Sequence, residues 1–186
     1  MVTPDTRTRI LQAASRLFYA EGIRPVSVDD IAAAAGLTKR TVYYHFASKD
    51  DLVVAYLRYR DRGVLRAAVE RRGGSPREKI LAAFSELEAG FGNSKFRGCP
   101  FVNAAAELGH SESVRAVATA SKETTRTWLE ELARELGARD PAALSEQLGL
   151  LIDGSIATWL VRRDPAAAVR AREAAEVLLK DACGRS

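Results

Sequence analysis

The 186-residue chain has only two cysteines, Cys99 and Cys183. Their separation fits neither a dithiol motif nor a metal-ligand pair, and two unpaired thiols suit a reducing compartment. Histidine is as scarce. His45 would need a metal-binding partner close by, and His110 is the only other imidazole; a donor to backbone or phosphate is the simpler role. No apolar run approaches the ~20 residues that span a bilayer, and the N-terminus has no apolar signal core, so a cytoplasmic protein is expected. Alternating valine- or threonine-rich runs are missing, which excludes strands as the main element. A glycine-rich phosphate loop and a nucleophile motif are missing too. Glu107, His110 and Asp153 are the only acid/base candidates, and Glu107 and His110 straddle a helix end at Gly109. Neither catalysis, a cofactor nor a metal is expected. No internal repeat or low-complexity segment occurs.

Hydrophobic residues make up 47% of the chain. Alanine and leucine dominate, and proline stays out of the interior of periodic stretches. An all-α protein of about nine helices is expected. The net charge of +4 is unevenly placed: Met1 to Lys49 carries +3 and the remainder +1. A basic excess on the first quarter of the chain is either a solvated face or a nucleic-acid footprint.

In that quarter, Ser27 to Lys49 reads as two short helices joined at Gly36. Ser27 and Asp30 form a variant capping box, and Gly36 supplies the positive φ that ends the first helix. Thr38 caps the second, with Val42 and Phe46 facing inward. The opposite face carries Lys39, Arg40, Thr41, Tyr43, Tyr44 and His45, donors and aromatic hydroxyls suited to phosphates and base edges. An earlier helix ends at Gly22, opened by Thr3-Pro4-Asp5 and striped by Ile10, Leu11, Ala14, Leu17 and Phe18. Isolated helices this short are marginal, so a small core of Ile10, Leu17, Phe18, Ile31, Leu37, Val42 and Phe46 is expected. Arg7, Arg9 and Arg16 are open to two readings, DNA backbone contacts or solvation. The result is a three-helix helix-turn-helix domain over residues 1–48.

Residues 49–186 read as a second, helical domain. Ser48 and Asp51 open a helix expected to run to about Arg71, some ~35 Å long. Lys49 lies in its first turn, against the dipole, which points to a phosphate partner. Arg58, Arg60, Arg62 and Arg66 decorate a solvated face. Ser75 to Glu78 is a full capping box, and its helix carries Ile80, Phe84, Leu87 and Phe91. A short helix from Pro100 turns Phe101, Val102, Ala105 and Leu108 inward. Ser111 caps a longer helix bearing Val114, Val117, Ala118, Thr125, Trp128, Leu129, Leu132 and Leu136. The last two helices open at Asp140-Pro141 and Asp164-Pro165.

The ordered run Phe18 to Gly22, Ser27-Val28-Asp29-Asp30-Ile31-Ala32, Ala35-Gly36-Leu37, Thr38 to Phe46 and Ser48 to Leu52 resembles the DNA-binding end of the tetracycline-repressor (TetR) family. The resemblance is close over the first third of the chain and general beyond it. It implies that Lys39, Arg40 and Tyr44 approach bases, while Ser27, Thr38, Thr41, Tyr43, His45 and Lys49 hold phosphates. It also implies a small-molecule pocket in the C-terminal helices whose occupation alters the spacing of two DNA-reading heads. Phe84, Phe91, Phe101, Asn103, Glu107, Thr125, Trp128 and Asp153 are the candidate lining, with plain core the competing reading. Asp153, inside LGLLIDGSIATWL, is costly unless paired; the cavity, a partner subunit or a buried arginine would each explain it.

One helix-turn-helix reads few base pairs, so a homodimer on a palindromic operator is expected. By resemblance the last two helices form the interface. Leu148, Leu151, Ile152, Trp159, Ala168, Ala175 and Leu178 are the candidates, and core packing is the alternative. The expected function is a transcriptional regulator, a repressor released by a small-molecule effector through linkage, with the helix from Lys49 as lever. A ligand- or partner-binding module with a vestigial DNA head is the second reading.

Overall fold

The computed structural model describes residues 5–61 and 63–184; the expectations for Thr3, Pro4 and Arg62 fall outside them. Ten α-helices and no strand occur among the described residues: α1 (Thr6–Glu21), α2 (Val28–Ala35), α3 (Lys39–His45), α4 (Lys49–Arg60), α5 (Val64–Arg72), α6 (Pro76–Phe91), α7 (Pro100–Glu107), α8 (Glu112–Glu135), α9 (Pro141–Arg162) and α10 (Ala166–Ala182). None is long and apolar enough to cross a membrane. The tenth segment exists because the helix expected from Lys49 to Arg71 is interrupted. Asp61 ends α4, and Gly63 takes the left-handed conformation (φ 54°) before α5 starts. Glycine reaches that region without a Cβ clash. The expected ~35 Å lever is therefore a 12-residue helix of about 18 Å, followed by a separate one.

The chain divides into two compact units, Met1–Arg62 with Cys99–Ser121, and Gly63–Gly98 with Lys122–Ser186. The boundary expected after residue 48 thus lies within the first unit. The cause is a shared core. Ile10, Phe18, Ile31, Val42 and Phe46 are buried as expected, with Leu17 and Leu37 packed against them. Leu52, Val53, Tyr56 and Leu57 from α4 join the same cluster, as do Phe101 and Ala104 of α7 and Val114 and Ala118 of α8. Phe18 and Tyr56 meet edge to face at 5.4 Å. On α7, Ala104 is inward and Val102, expected inward, is 45% exposed.

In the second unit α10 packs on α6 and α9, and α5 packs on α6. Its core takes Val69, Ile80, Phe84, Leu87 and Phe91, then Trp128, Leu129 and Leu132, then Leu144, Leu148, Ile152 and Trp159. The small stripe of α10 is buried at Ala167, Ala168, Ala171 and Ala175, with Leu179 rather than Leu178 completing it. Trp128 Nε1 donates to Glu70 at 3.1 Å, and Lys79 closes on the same carboxylate at 2.7 Å.

Candidate nucleic-acid interface

Each helix of the first unit's N-terminal part is fixed at its start by a side chain. Asp5 accepts the Thr8 amide at 2.6 Å. Ser27 and Asp30 complete a reciprocal box: the Ser27 amide and hydroxyl donate to Asp30 Oδ2 at 2.8 and 2.6 Å, and the Asp30 amide donates to Ser27 Oγ at 3.1 Å. These bonds, the hydroxyl's first, hold the Asp30 carboxyl below its ordinary value. Thr38 accepts the Thr41 amide at 3.2 Å, and the two hydroxyls lie 2.9 Å apart. Gly36, left-handed at φ 64°, turns the chain between α2 and α3.

Two arginines that the sequence left between DNA contact and solvation act within the fold. Arg9 donates to the Ala35 carbonyl at 2.7 Å, satisfying a C-terminal carbonyl of α2. The Arg7 guanidinium lies 5.1 Å from the centre of the Phe46 ring. A helix ending at Gly36 leaves carbonyls in need of donors, but nothing local in the sequence names Arg9 as the one that supplies them.

With Val42 and Phe46 inward, the rest of α3 faces out. Tyr44 is 86% exposed and Tyr43 45%. Arg40 is exposed and has no ion-pair partner among the described residues. Lys39 is exposed but bound to Asp29 at 2.7 Å, which raises its pKa. Thr41 and His45 are half-buried, with the His45 ring edge-on to Tyr44 at 5.4 Å. Ser27 and Thr38 are exposed, and their hydroxyls are engaged as caps. Lys49 donates to the Arg24 carbonyl at 3.2 Å. Burial draws its pKa down, opposed by the carboxylates of Glu107, Asp50 and Asp30. The nine candidate DNA contacts therefore lie on α3 and its N-cap Thr38, on the α2 cap Ser27 and on Lys49, the first residue of α4. Among them Arg40, Tyr43 and Tyr44 are exposed without a hydrogen-bonded partner among the described residues, Tyr44 the more exposed of the two tyrosines.

The candidate effector lining is divided. Phe101, Asn103 and Glu107 belong to the first unit. Phe101 is core, and Glu107 accepts the amides of Ile23 and Arg24 at 2.8 Å each, so its carboxylate is committed to the turn after α1. In the second unit Phe84, Phe91 and Trp128 are buried core. Thr125 and Asp153 share a shallow depression of about 160 Å³ with Lys122, Arg126 and Glu146. Asp153 is half-exposed and paired with Lys122, so lysine at a partly wet surface replaces the buried arginine that was one explanation for it. No group of three or more His, Cys, Asp and Glu among the described residues could hold a metal ion.

Residues 10–56 match the model for bacterial regulatory proteins of the tetR family. Among curated relatives, the chain is 43% identical over 53 residues to the regulator TtgR of Pseudomonas putida, a match spanning 28% of this chain and 25% of that one. With LmrA of Bacillus subtilis it shares 29% identity over 175 residues, covering 86% and 89%. Among solved structures, the TetR-family transcriptional regulator SCO4454 of Streptomyces coelicolor superposes with a TM-score of 0.86 at 33% identity, covering 96% of each chain. A TetR-type regulator from Streptomyces avermitilis superposes with a TM-score of 0.81 at 31% identity, covering 93% of this chain and 99% of that one. Such identity over whole chains, together with the matched helix-turn-helix, leads to one assignment: the chain belongs to the TetR family of DNA-binding transcriptional regulators, which are not enzymes.

Proposed function

We propose that the protein is a repressor that binds a palindromic operator as a homodimer and is released by a small-molecule effector. The observation that carries this reading is the outward face of α3. Arg40 and Tyr44 are exposed and unoccupied, while Val42 and Phe46 lock the other face into the core. A bidentate arginine on guanine supplies ~1–3 kcal/mol of discrimination. Lys39 joins the contact surface when a phosphate or base outcompetes Asp29. A vestigial head would have no reason to keep this face polar and uncovered.

The dimer surface we infer differs in detail from the sequence candidates. Leu148, Ile152, Trp159, Ala168 and Ala175 are already buried within the chain, and Leu151 and Leu178 are partly so. Leu150, Gly154, Ala157 and Val161 instead form an exposed stripe on α9. At about 100° per residue, they fall within one narrow arc of the helix. Leu150 is 72% and Val161 84% exposed, and a Cβ added at Gly154 would meet nothing within 4 Å. Large ends around a small centre suit close approach of a second α9, with Val169 and Val177 of α10 at the flank. Effector binding we assign to the second unit. Thr125 and Asp153 are the two expected residues already gathered around one depression.

The test is to recover duplexes from a random pool and titrate salt against the complex formed with the best of them. A repressor of this kind gives a specific complex whose affinity falls steeply with salt. Binding that is equally weak on the selected duplex and on a scrambled one refutes the reading.

A further inference from the structure

We propose that the Glu107 carboxylate is a latch by which α7 sets the position of the DNA-reading corner, making Glu107 a positioning residue for operator binding. The inference rests on α3 being the DNA-contacting helix and goes beyond it.

The corner is the segment Gly22 to Val26, between the end of α1 and the Ser27 cap of α2. It is outside any helix: the Gly22 amide still reaches the Phe18 carbonyl at 3.1 Å, but the amides of Ile23 and Arg24 have no ladder partners. Glu107 Oε2 supplies them, accepting from both Ile23 and Arg24 at 2.8 Å. The main-chain carbonyl of Glu107, left over at the end of α7, accepts Arg24 Nε at 2.9 Å. One residue of α7 thus grips the corner at three points across more than eighty residues of sequence. The fit is close, since a Cβ at Gly22 would lie 3.4 Å from both carboxylate oxygens.

The grip extends to the contact face. The Arg24 carbonyl accepts Lys49 Nζ, and the corner leads directly into Ser27. Ser27 is the N-cap of α2 and Lys49 the first residue of α4, the helices before and after α3 in the chain. Glu107 therefore holds the segment on which two candidate phosphate contacts depend. A carboxylate accepting two amides forms charge-assisted bonds, so a single side chain controls both at once.

The same residue is placed to respond. The chain re-enters the first unit at Cys99, the N-cap of α7, after the 63–98 stretch of the other unit. α7 is eight residues long and ends at Leu108 in a non-helical conformation. A pull on the chain before Cys99 reaches Glu107 within two helical turns, and withdrawing it frees the corner without touching α3 itself.

The experiment uses the full chain and the duplex that the wild-type protein recovers from a random pool. Amide exchange at Ile23 and Arg24 is read alongside affinity for Glu107→Ala, Glu107→Gln and Arg40→Ala. In Glu107→Ala the two amides are expected to exchange faster while those of Ile10 to Phe18 keep their protection, and affinity is expected to fall about tenfold. Glu107→Gln keeps a neutral acceptor and is expected to recover part of both. Arg40→Ala is expected to lose affinity with the two amides unchanged. The latch is overturned if a folded Glu107 variant frees the two amides without weakening DNA binding, or weakens binding without freeing them. Should Glu107→Ala fail to fold, Glu107→Gln decides on the same two readings. Wild-type affinity in Arg40→Ala instead refutes the DNA-contact reading, which separates the two failures.

Discussion

The two compact units use the same materials, alanine, leucine and capped helices, but leave different things at their surfaces. In the first, α2, α3 and α4 are 8, 7 and 12 residues long, too short to persist alone. Each starts on a side-chain cap, and their apolar residues are consumed by one core. What remains outside α3 is polar and aromatic. In the second unit α6, α9 and α10 run for 16, 22 and 17 residues. These longer helices satisfy their core with residues to spare, and Leu150, Val161 and Val177 stay exposed. Surplus polar surface suits a charged duplex, whereas surplus apolar surface suits another protein chain.

The comparison breaks first if the buried aromatics of the second unit line a cavity instead of filling a core. Phe84 is fully buried. Phe84→Ala should cost about 3–5 kcal/mol, measured by chemical denaturation, because a packed site cannot collapse around the void. A loss well under 1 kcal/mol would mean that the ring already bordered empty space. Next comes the apolar surplus. Leu150→Glu and Val161→Glu should leave monomer stability within about 0.5 kcal/mol, since both side chains are solvent-facing. In sedimentation they should convert a dimer to a monomer and weaken binding to a palindromic duplex. A wild-type protein that is monomeric at micromolar concentration would remove the reason for the stripe.

How far the sequence could be read follows the same division. In the first unit periodicity located Ile10, Phe18, Ile31, Val42 and Phe46, and the caps at Ser27, Thr38 and Ser48 marked the helix starts. The α4 share of the core, Leu52, Val53, Tyr56 and Leu57, was not assigned to it, and Val102 was expected inward. Arg9 and Glu107 escaped because their partners are backbone atoms far away in sequence, which no local pattern encodes. In the second unit an apolar residue has three possible uses: core, interface or pocket. Periodicity reports that Leu148 and Leu150 are apolar; only packing reveals that one is buried and the other 72% exposed. The break at Gly63 was hidden for a related reason. A single glycine in a helical pattern is often tolerated, and nothing local in the sequence shows that Gly63 takes the left-handed conformation as the N-cap of α5.

The polar surplus is tested at Arg40. Arg40→Ala should lower affinity for the selected duplex by ~1–3 kcal/mol and relax preference at one base position. Fold stability should not change, because the side chain supports nothing else. Lys49→Ala should weaken all duplexes alike and reduce the salt slope by about 1. A base-specific loss from Lys49→Ala, or a uniform one from Arg40→Ala, would exchange their roles.

The finest test uses a device that both units share. Ser75 and Glu78 repeat the Ser27–Asp30 box, with the Ser75 amide and hydroxyl both donating to Glu78 at 2.7 Å. In each box the serine hydroxyl, then the serine amide, holds the carboxyl below its ordinary value, 3.8 for Asp30 and 4.5 for Glu78. A depressed carboxyl contributes stability that is complete above the ordinary value and is lost as pH falls through the folded one. Thermal denaturation should therefore show a flat Tm near neutrality and a decline on acidification below those values. Ser27→Ala and Ser75→Ala should each cost about 1 kcal/mol as lost N-caps and shrink their own part of that acid decline. Only Ser27→Ala should also weaken the DNA complex at neutral pH, because only that box caps α2, the helix joined to α3 through the turn at Gly36. Equal weakening by Ser75→Ala would mean that global stability, not the placement of α2, governs affinity.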